Sequence, residues 1–403
     1  MLRQTIAQKQ TPLSSLEYIQ ENLSIDRSLL LDIVHENHLL YHMEKRDRPN
    51  NIIRVLVNLH KFQATKDQLA IAYEKTKLDV ASIHVSNSSD KINEKNWIEF
   101  LGTSSSYGDY LVFFDKQLSA LGLEETLDRY FYSIEPSIGS QIQPLVQFSF
   151  GIEHDLPEII TQALAYYASS YLDASAILEY CKPYSGENQV NNIQFVNTIL
   201  FDLIRADQRF DGKIEGNNTF HSAVKLLLKS KSDLIKTYMA AWSNSYSQSP
   251  QQKLDALLYT ATTLAKVSSR QQATHVELDW FLAGGQLIDS ALAIQKVIRS
   301  DQLENWVNAQ FLSTLCTFIV QGRPMNVPSL PLNPLVTKSW ESCTSTIVQN
   351  AFDNPKLILA LDSILNARSQ HAQLEPLCFE IVNTLALFSN GGTWIKSGLG
   401  WPN

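Results

Sequence analysis

Cysteine is scarce in this chain. Its four thiols, Cys181, Cys316, Cys343 and Cys378, are scattered through 403 residues with no CxxC spacing. That pattern speaks against a disulfide scaffold and against the usual zinc and redox thiol motifs. Cys316 lies in an apolar stretch, LSTLCTFI, and is expected to be buried and inert. Long hydrophobic runs are missing too. Nowhere do about 20 apolar residues follow one another, as a membrane-spanning helix requires. The first residues, MLRQTIAQKQTPLSSLEYI, lack the unbroken apolar core of a secretory signal. A cytoplasmic protein without membrane contact is therefore expected. Excess positive charge is also absent, with 33 Lys and Arg against 41 Asp and Glu and a net charge of −8. A nucleic-acid partner is not expected, because such a partner demands phosphate neutralisation by basic side chains. The lysines at 225, 229, 231 and 236 are interrupted by Asp233 and read as a solvated helix face. Finally, no GxGxxG, Walker A, GxSxG or HExxH motif is present. A Rossmann-held flavin or nicotinamide is thus not expected.

What is present is helical pattern. Hydrophobic residues make up 44% of the chain and charged ones 18%, enough for a sizeable core without metal or disulfide staples. Capping boxes are expected at Ser14–Glu17 and Thr65–Gln68, each followed by apolar periodicity. A helix from Asp109 should stop at Gly122, and another should begin around Pro157. Residues 276–298 read as one helix carried through Gly284-Gly285, unless that pair breaks it or something approaches closely there. The best strand candidate, residues 82–86, is short. The fold class is all-α, a large multi-helix body. Its expected halves are 1–181 and 193–403, joined by a polar linker at 182–192 and packed as one unit. A proline-rich connector follows at 321–334, and the tryptophans of the tail should pack back onto the body.

Residues 28–44, SLLLDIVHENHLLYHME, carry the richest chemistry. At about 100° per residue, His35, His38 and His42 fall within about 60° of one another, with Leu31 and Leu39 on the same side. Such a stripe is either a site, as proton relay or weak ligands, or a polar seam at a core edge. The next helix, from Ile52, should carry Asn51, Arg54, Asn58 and Lys61 on one face and Ile53, Leu56 and Val57 on the other. Glu153 is expected in a largely buried segment, where a carboxylate needs a partner or a raised pKa. An ion pair with Arg54 is its structural reading and a catalytic base the functional one. Asp279 would either orient a ring nitrogen or cap a helix that begins there. The aromatics between Trp97 and Tyr132 are either plain core or the lining of a pocket for a flat polycyclic molecule. Asp207, Arg209 and Asp211 read as an ion cluster at a helix end.

Several colinear fragments resemble the questin oxidase-like family, which includes Baeyer–Villiger-type oxidases of fungal polyketide pathways. They are NHLLYHM at 37–43, WIEFLG at 97–102, YLVFF at 110–114, PLVQFSFGIE at 144–153, ALA at 163–165, DQRFDG at 207–212, DWFLA at 279–283, GRP at 322–324 and GLGW at 398–401. The resemblance implies oxygen insertion beside a carbonyl of an aromatic polyketide or related cyclic ketone, with NADPH and O₂ as co-substrates. It also implies that His38, His42, Glu153 and Asp279 are the catalytic residues that remain, with no metal ligand assigned. On the implied register, family histidines fall on Pro49, Asn51, Arg54, Val55, Gln143, Gln147 and Gly284, while most of the apolar frame is kept. Arg54 cannot ligate a metal, because guanidinium keeps its proton. Loss concentrated at one residue type suggests a second reading, a catalytically degenerate homologue that acts as a binding or scaffold protein.

Overall fold

The computed structural model describes residues 27–86, 91–181, 193–214, 219–244, 249–326 and 339–401. The expected capping box at 14–17, the linker 182–192 and the connector beyond 326 lie outside the described residues. Helices dominate and strands are short, so the fold is all-α as the pattern predicts. The chain forms two compact units. The first runs to Glu135 and again over Pro144–Leu172; the second takes Pro136–Gln143 and everything from Asp173 onward.

The first unit contains helices α1 (Arg27–Leu40), α2 (Ile52–Lys61), α3 (Lys66–Lys77), α4 (Tyr107–Tyr130), α5 (Gln143–Glu153, from Pro144) and α6 (Pro157–Ser169). Helix α1 stops at Leu40 instead of continuing to 44. Tyr41–His42 (β1) turns into an extended pair, antiparallel to Ala81–Ser82, while Glu44–Lys45 (β2) and Arg48–Pro49 (β3) form a small hairpin between them. The buried face of α1 is Val34, Asn37 and His38, and both Leu31 and Leu39 are exposed. Helix α2 departs from its amphipathic pattern: every residue from Ile52 to Leu59 is buried, Arg54 and Asn58 included. Helix α3 begins with the expected capping box, Thr65 Oγ1 accepting from Gln68 N and Gln68 Oε1 accepting from Thr65 N. Gly122, at φ 75°, kinks α4 where the sequence predicts a stop. Helices α4 and α6 pack along each other. Phe113, Phe114 and Tyr130 are buried and meet edge-on at centroid distances of 5.1 to 5.9 Å, which makes this aromatic group core.

In the second unit the main helices are α7 (Phe220–Ser230), α8 (Ser232–Asn244), α9 (Pro250–Val267), α10 (Gln286–Val297), α11 (Leu303–Val320), α12 (Trp340–Ala351), α13 (Pro355–Gln370) and α14 (Glu375–Phe388). Helix α11 is buried on every side from Trp306 to Val320 and packs against α7, α9 and α10. The expected helix 276–298 is corrected: Val276–Asp279 is a strand, and α10 begins only after Gly285, at φ 89°. The cause is the close approach of α13. A Cβ at Gly284 would lie 1.9 Å from Lys356 Cε, and one at Gly285 would lie 2.3 Å from Ser363 Oγ. The strand pairs with Ser269–Gln271 on one side and Thr393–Ile395 on the other. Trp394 in that last strand stands 4.7 Å from the Phe388 ring and 5.8 Å from Trp280, so the tail packs back as expected. No described helix is long and apolar enough to cross a membrane.

Candidate functional site

His38 enters from α1, between α4 and α6. Its Nε2 lies 3.0 Å from Asp115 Oδ2, and its Nδ1 lies 3.3 Å from the backbone oxygen of Glu158. Both partners are acceptors, so the ring satisfies both only as imidazolium. Burial by itself would depress its pKa, but the hydrogen bond and charge of Asp115, helped by Glu158, outweigh burial and raise it. Only 6% of the residue is exposed, so the imidazole sits inside the unit.

His42, four positions on, is held in the opposite state. The backbone N–H of Glu44 donates to its Nδ1 at 2.9 Å, and its Nε2 faces the carbonyl of Ser104 at 3.3 Å. One donor and one acceptor fit a neutral ring that carries its proton on Nε2. Burial pushes its pKa down, in agreement. The imidazole lies over Tyr107 at a centroid distance of 4.1 Å. Tyr107 is fully buried, and its hydroxyl has no partner among the described residues. Burial and the negative charge of Asp115 hold its proton firmly. His35 does not join this pair; its Nδ1 meets Glu158 Oε1 at 2.7 Å on the surface.

The other two expected catalytic residues stand differently. Glu153, at the end of α5, is solvent-exposed, which corrects the expectation of a buried carboxylate. Asp279 belongs to the second unit and is completely buried. Its Oδ1 accepts from the backbone N–H groups of Phe281 and Leu282 at 2.9 and 3.1 Å, and its Oδ2 accepts from Leu399 N at 3.2 Å. Burial raises its pKa to about 7 despite these donors. It caps the turn after its strand, close to the structural reading.

Four of the positions where the resemblance implies histidines, Asn51, Arg54, Gln143 and Gln147, take part in polar contacts. In the first unit, Gln147 Nε2 donates to Asn51 Oδ1 at 2.8 Å and to Asn50 O at 3.2 Å. Arg54 Nη1 reaches Asn51 Oδ1 at 3.4 Å, and Asn50 Nδ2 donates to Asn37 Oδ1 at 2.9 Å. In the second unit, Gln143 Nε2 donates to the carbonyl of Gln286 at 3.2 Å. The space that a side chain at 284 would use is filled by Lys356, whose Nζ stands 4.8 Å over the Trp280 ring. Among the described residues no group of three or more His, Cys, Asp or Glu could hold a metal ion.

Sequence reasoning missed Asp115, Glu158 and Lys356, and reached Tyr107 only as one of the aromatics read as core or pocket lining. Asp115 alone carried a signal, as the acid that ends the apolar run YLVFF. The others are brought in by packing from distant helices.

The first unit is an all-α body in which a buried histidine meets a half-exposed carboxylate. The model of the questin oxidase-like family matches residues 49–354, and the chain belongs to that family. Membership supports a general oxidoreductase-like function. The match takes in Glu153 and Asp279 and begins after His38 and His42. No curated protein matches the chain.

Proposed function

We propose that this protein is an oxidoreductase that acts on a small aromatic or polycyclic ketone, with NADPH and O₂ as co-substrates, and that His38 with Asp115 handles the proton. One observation carries the assignment of the group: within the same few residues, the partners of His38 favour its protonated form and those of His42 its neutral form. Imidazoles whose surroundings shift them in opposite directions from the ordinary histidine value are suited to moving protons. The test is NADPH oxidation coupled to O₂ uptake, measured across a panel of hydroxyanthraquinones. Substrate-dependent oxidation that falls by about 100-fold or more in His38→Gln, with the helical circular dichroism kept, is expected for a general acid or base. Full activity in that variant would remove His38 from the reaction.

A second reading has its own support. The amides of Asn51, Gln143 and Gln147 bond to their surroundings, and Lys356 fills the space at Gly284. Packed, satisfied groups at these positions favour a degenerate homologue that binds a ring compound without turning it over. Saturable quinone binding with no NADPH consumption for any member of the panel would select this reading.

A further inference from the structure

The second unit carries a cleft of about 230 Å³, walled by Lys213, Arg270, Glu277, Ser397, Leu399 and Trp401. Its parts are tied in place. Arg270 and Glu277 face each other across two paired strands, with Arg270 Nη1 3.8 Å from Glu277 Oε2. Arg270 Nη2 donates to the carbonyl of Leu399 at 3.1 Å, whose own N–H is held by Asp279. Glu277 also accepts from Gln272 Nε2 at 2.9 Å. The tail that forms the far wall is pressed onto the turn at Gln321: Gly400 N donates to Gln321 O at 3.1 Å, and a Cβ at Gly398 would lie 2.6 Å from the same oxygen. A cleft built this way is preorganised, so a ligand would lose little by ordering it.

Its charge is the opposite of the molecule's. Two cations and one carboxylate line it, in a chain of net charge −8. We propose that this cleft is a binding site for a small hydroxylated anion, the phosphate monoester or carboxylate of a short polyol. Lys213 and Arg270 take the anionic group, as charge-assisted donors do. Glu277 and the hydroxyl of Ser397 take the ligand's hydroxyls, and the Trp401 ring covers its carbon skeleton. The volume is below the about 300–1,000 Å³ of sites that enclose drug-sized ligands, which suits a three-carbon compound.

Isothermal titration of the full chain tests it with glycerol 3-phosphate, glycerate, inorganic phosphate and glycerol as probes. At least one hydroxylated anion should bind more tightly than phosphate alone, glycerol should not bind measurably, and added salt should weaken binding. The better of the two hydroxylated anions identifies the charged group. Lys213→Gln alters an exposed side chain and should weaken the anions about fivefold. Glu277→Gln should act with mixed sign: phosphate binds more tightly once a like charge is gone, while the advantage of the hydroxylated anion shrinks. Absence of binding by every anion up to about 10 mM, a range that corresponds to under about 3 kcal/mol, would overturn the proposal. So would binding that Lys213→Gln leaves unchanged.

Discussion

His38 and His42 respond to pH in opposite directions. The folded pKa of His38 lies above its unfolded value of about 6.5. The stability contributed by its pairing with Asp115 is therefore fully present below pH about 6.5 and is lost as pH rises through the folded pKa. The folded pKa of His42 is depressed, so the unfolded chain binds that proton more readily. Its burial costs stability as pH falls below about 6.5. Titration of the two imidazoles by NMR should give one midpoint above and one below the ordinary histidine value. Asp115→Asn should lower the His38 midpoint and leave that of His42 nearly in place. Because the Asp115 side chain is 42% exposed, the stability lost at acidic pH should be only about 1 kcal/mol. Equal midpoints in the parent protein would remove the basis for assigning the two rings different states. At Gly284 the constraint is steric. Gly284→Ala must displace Lys356 and crowd the carbonyl of Trp280, and should destabilise the second unit by about 2 kcal/mol. Adding Lys356→Ala should recover only part, because the backbone contact remains; full recovery in the double variant would show that the lysine alone sets the limit.

At the scale of the element, start and stop signals were legible where they are local. Thr65 and Gln68 could be read as a capping box because both partners lie within one turn of chain, and the structure forms it. Thr65→Ala should cost about 1 kcal/mol and increase amide exchange in the first turn of α3, with little change elsewhere. The helix expected over 276–298 was misread for a different reason. Its apolar pattern fits a helix, but strand pairing with residues 269–271 and 393–395 and the pressure of α13 on the two glycines override it. The left-handed run Ser140, Gln141 and Ile142, at φ 50°, 55° and 61°, left no trace in the sequence, since none of the three is glycine. Each costs about 1–2 kcal/mol in that conformation. Gln141 Nε2 offsets part of this by donating to Thr317 Oγ1 at 3.0 Å.

For the whole molecule, that run has a consequence for how the chain can be divided. Residues 136–143 belong to the second unit, where Ile138 and Ile142 are buried and Gln143 bonds to the start of α10. A fragment of residues 173–403 should therefore lack cooperative unfolding and expose apolar surface to a dye. Adding a peptide of residues 136–143, or fusing it, should restore at least part of the transition. A cooperative melt of the fragment alone would show that this segment is dispensable.

The sequence by itself determined the helical class, the capping box at Thr65–Gln68 and the resemblance to the family, and it singled out His38 and His42 as candidates. All of these depend on neighbours in the chain or on side-chain type. Tertiary structure alone decided what each group does. It placed Asp115 and the Glu158 carbonyl on His38, turned Glu153 outward, made Asp279 the cap of a turn and set Lys356 in the space at Gly284. It also drew three separate fragments together: Arg323 of GRP donates to Asp207 O and Asp211 Oδ1 of DQRFDG at 2.8 and 2.7 Å, while GLGW closes on Gly322. Protonation state, burial and charge balance are properties of an environment. That environment is assembled from helices far apart in the chain, so it exists only once they pack.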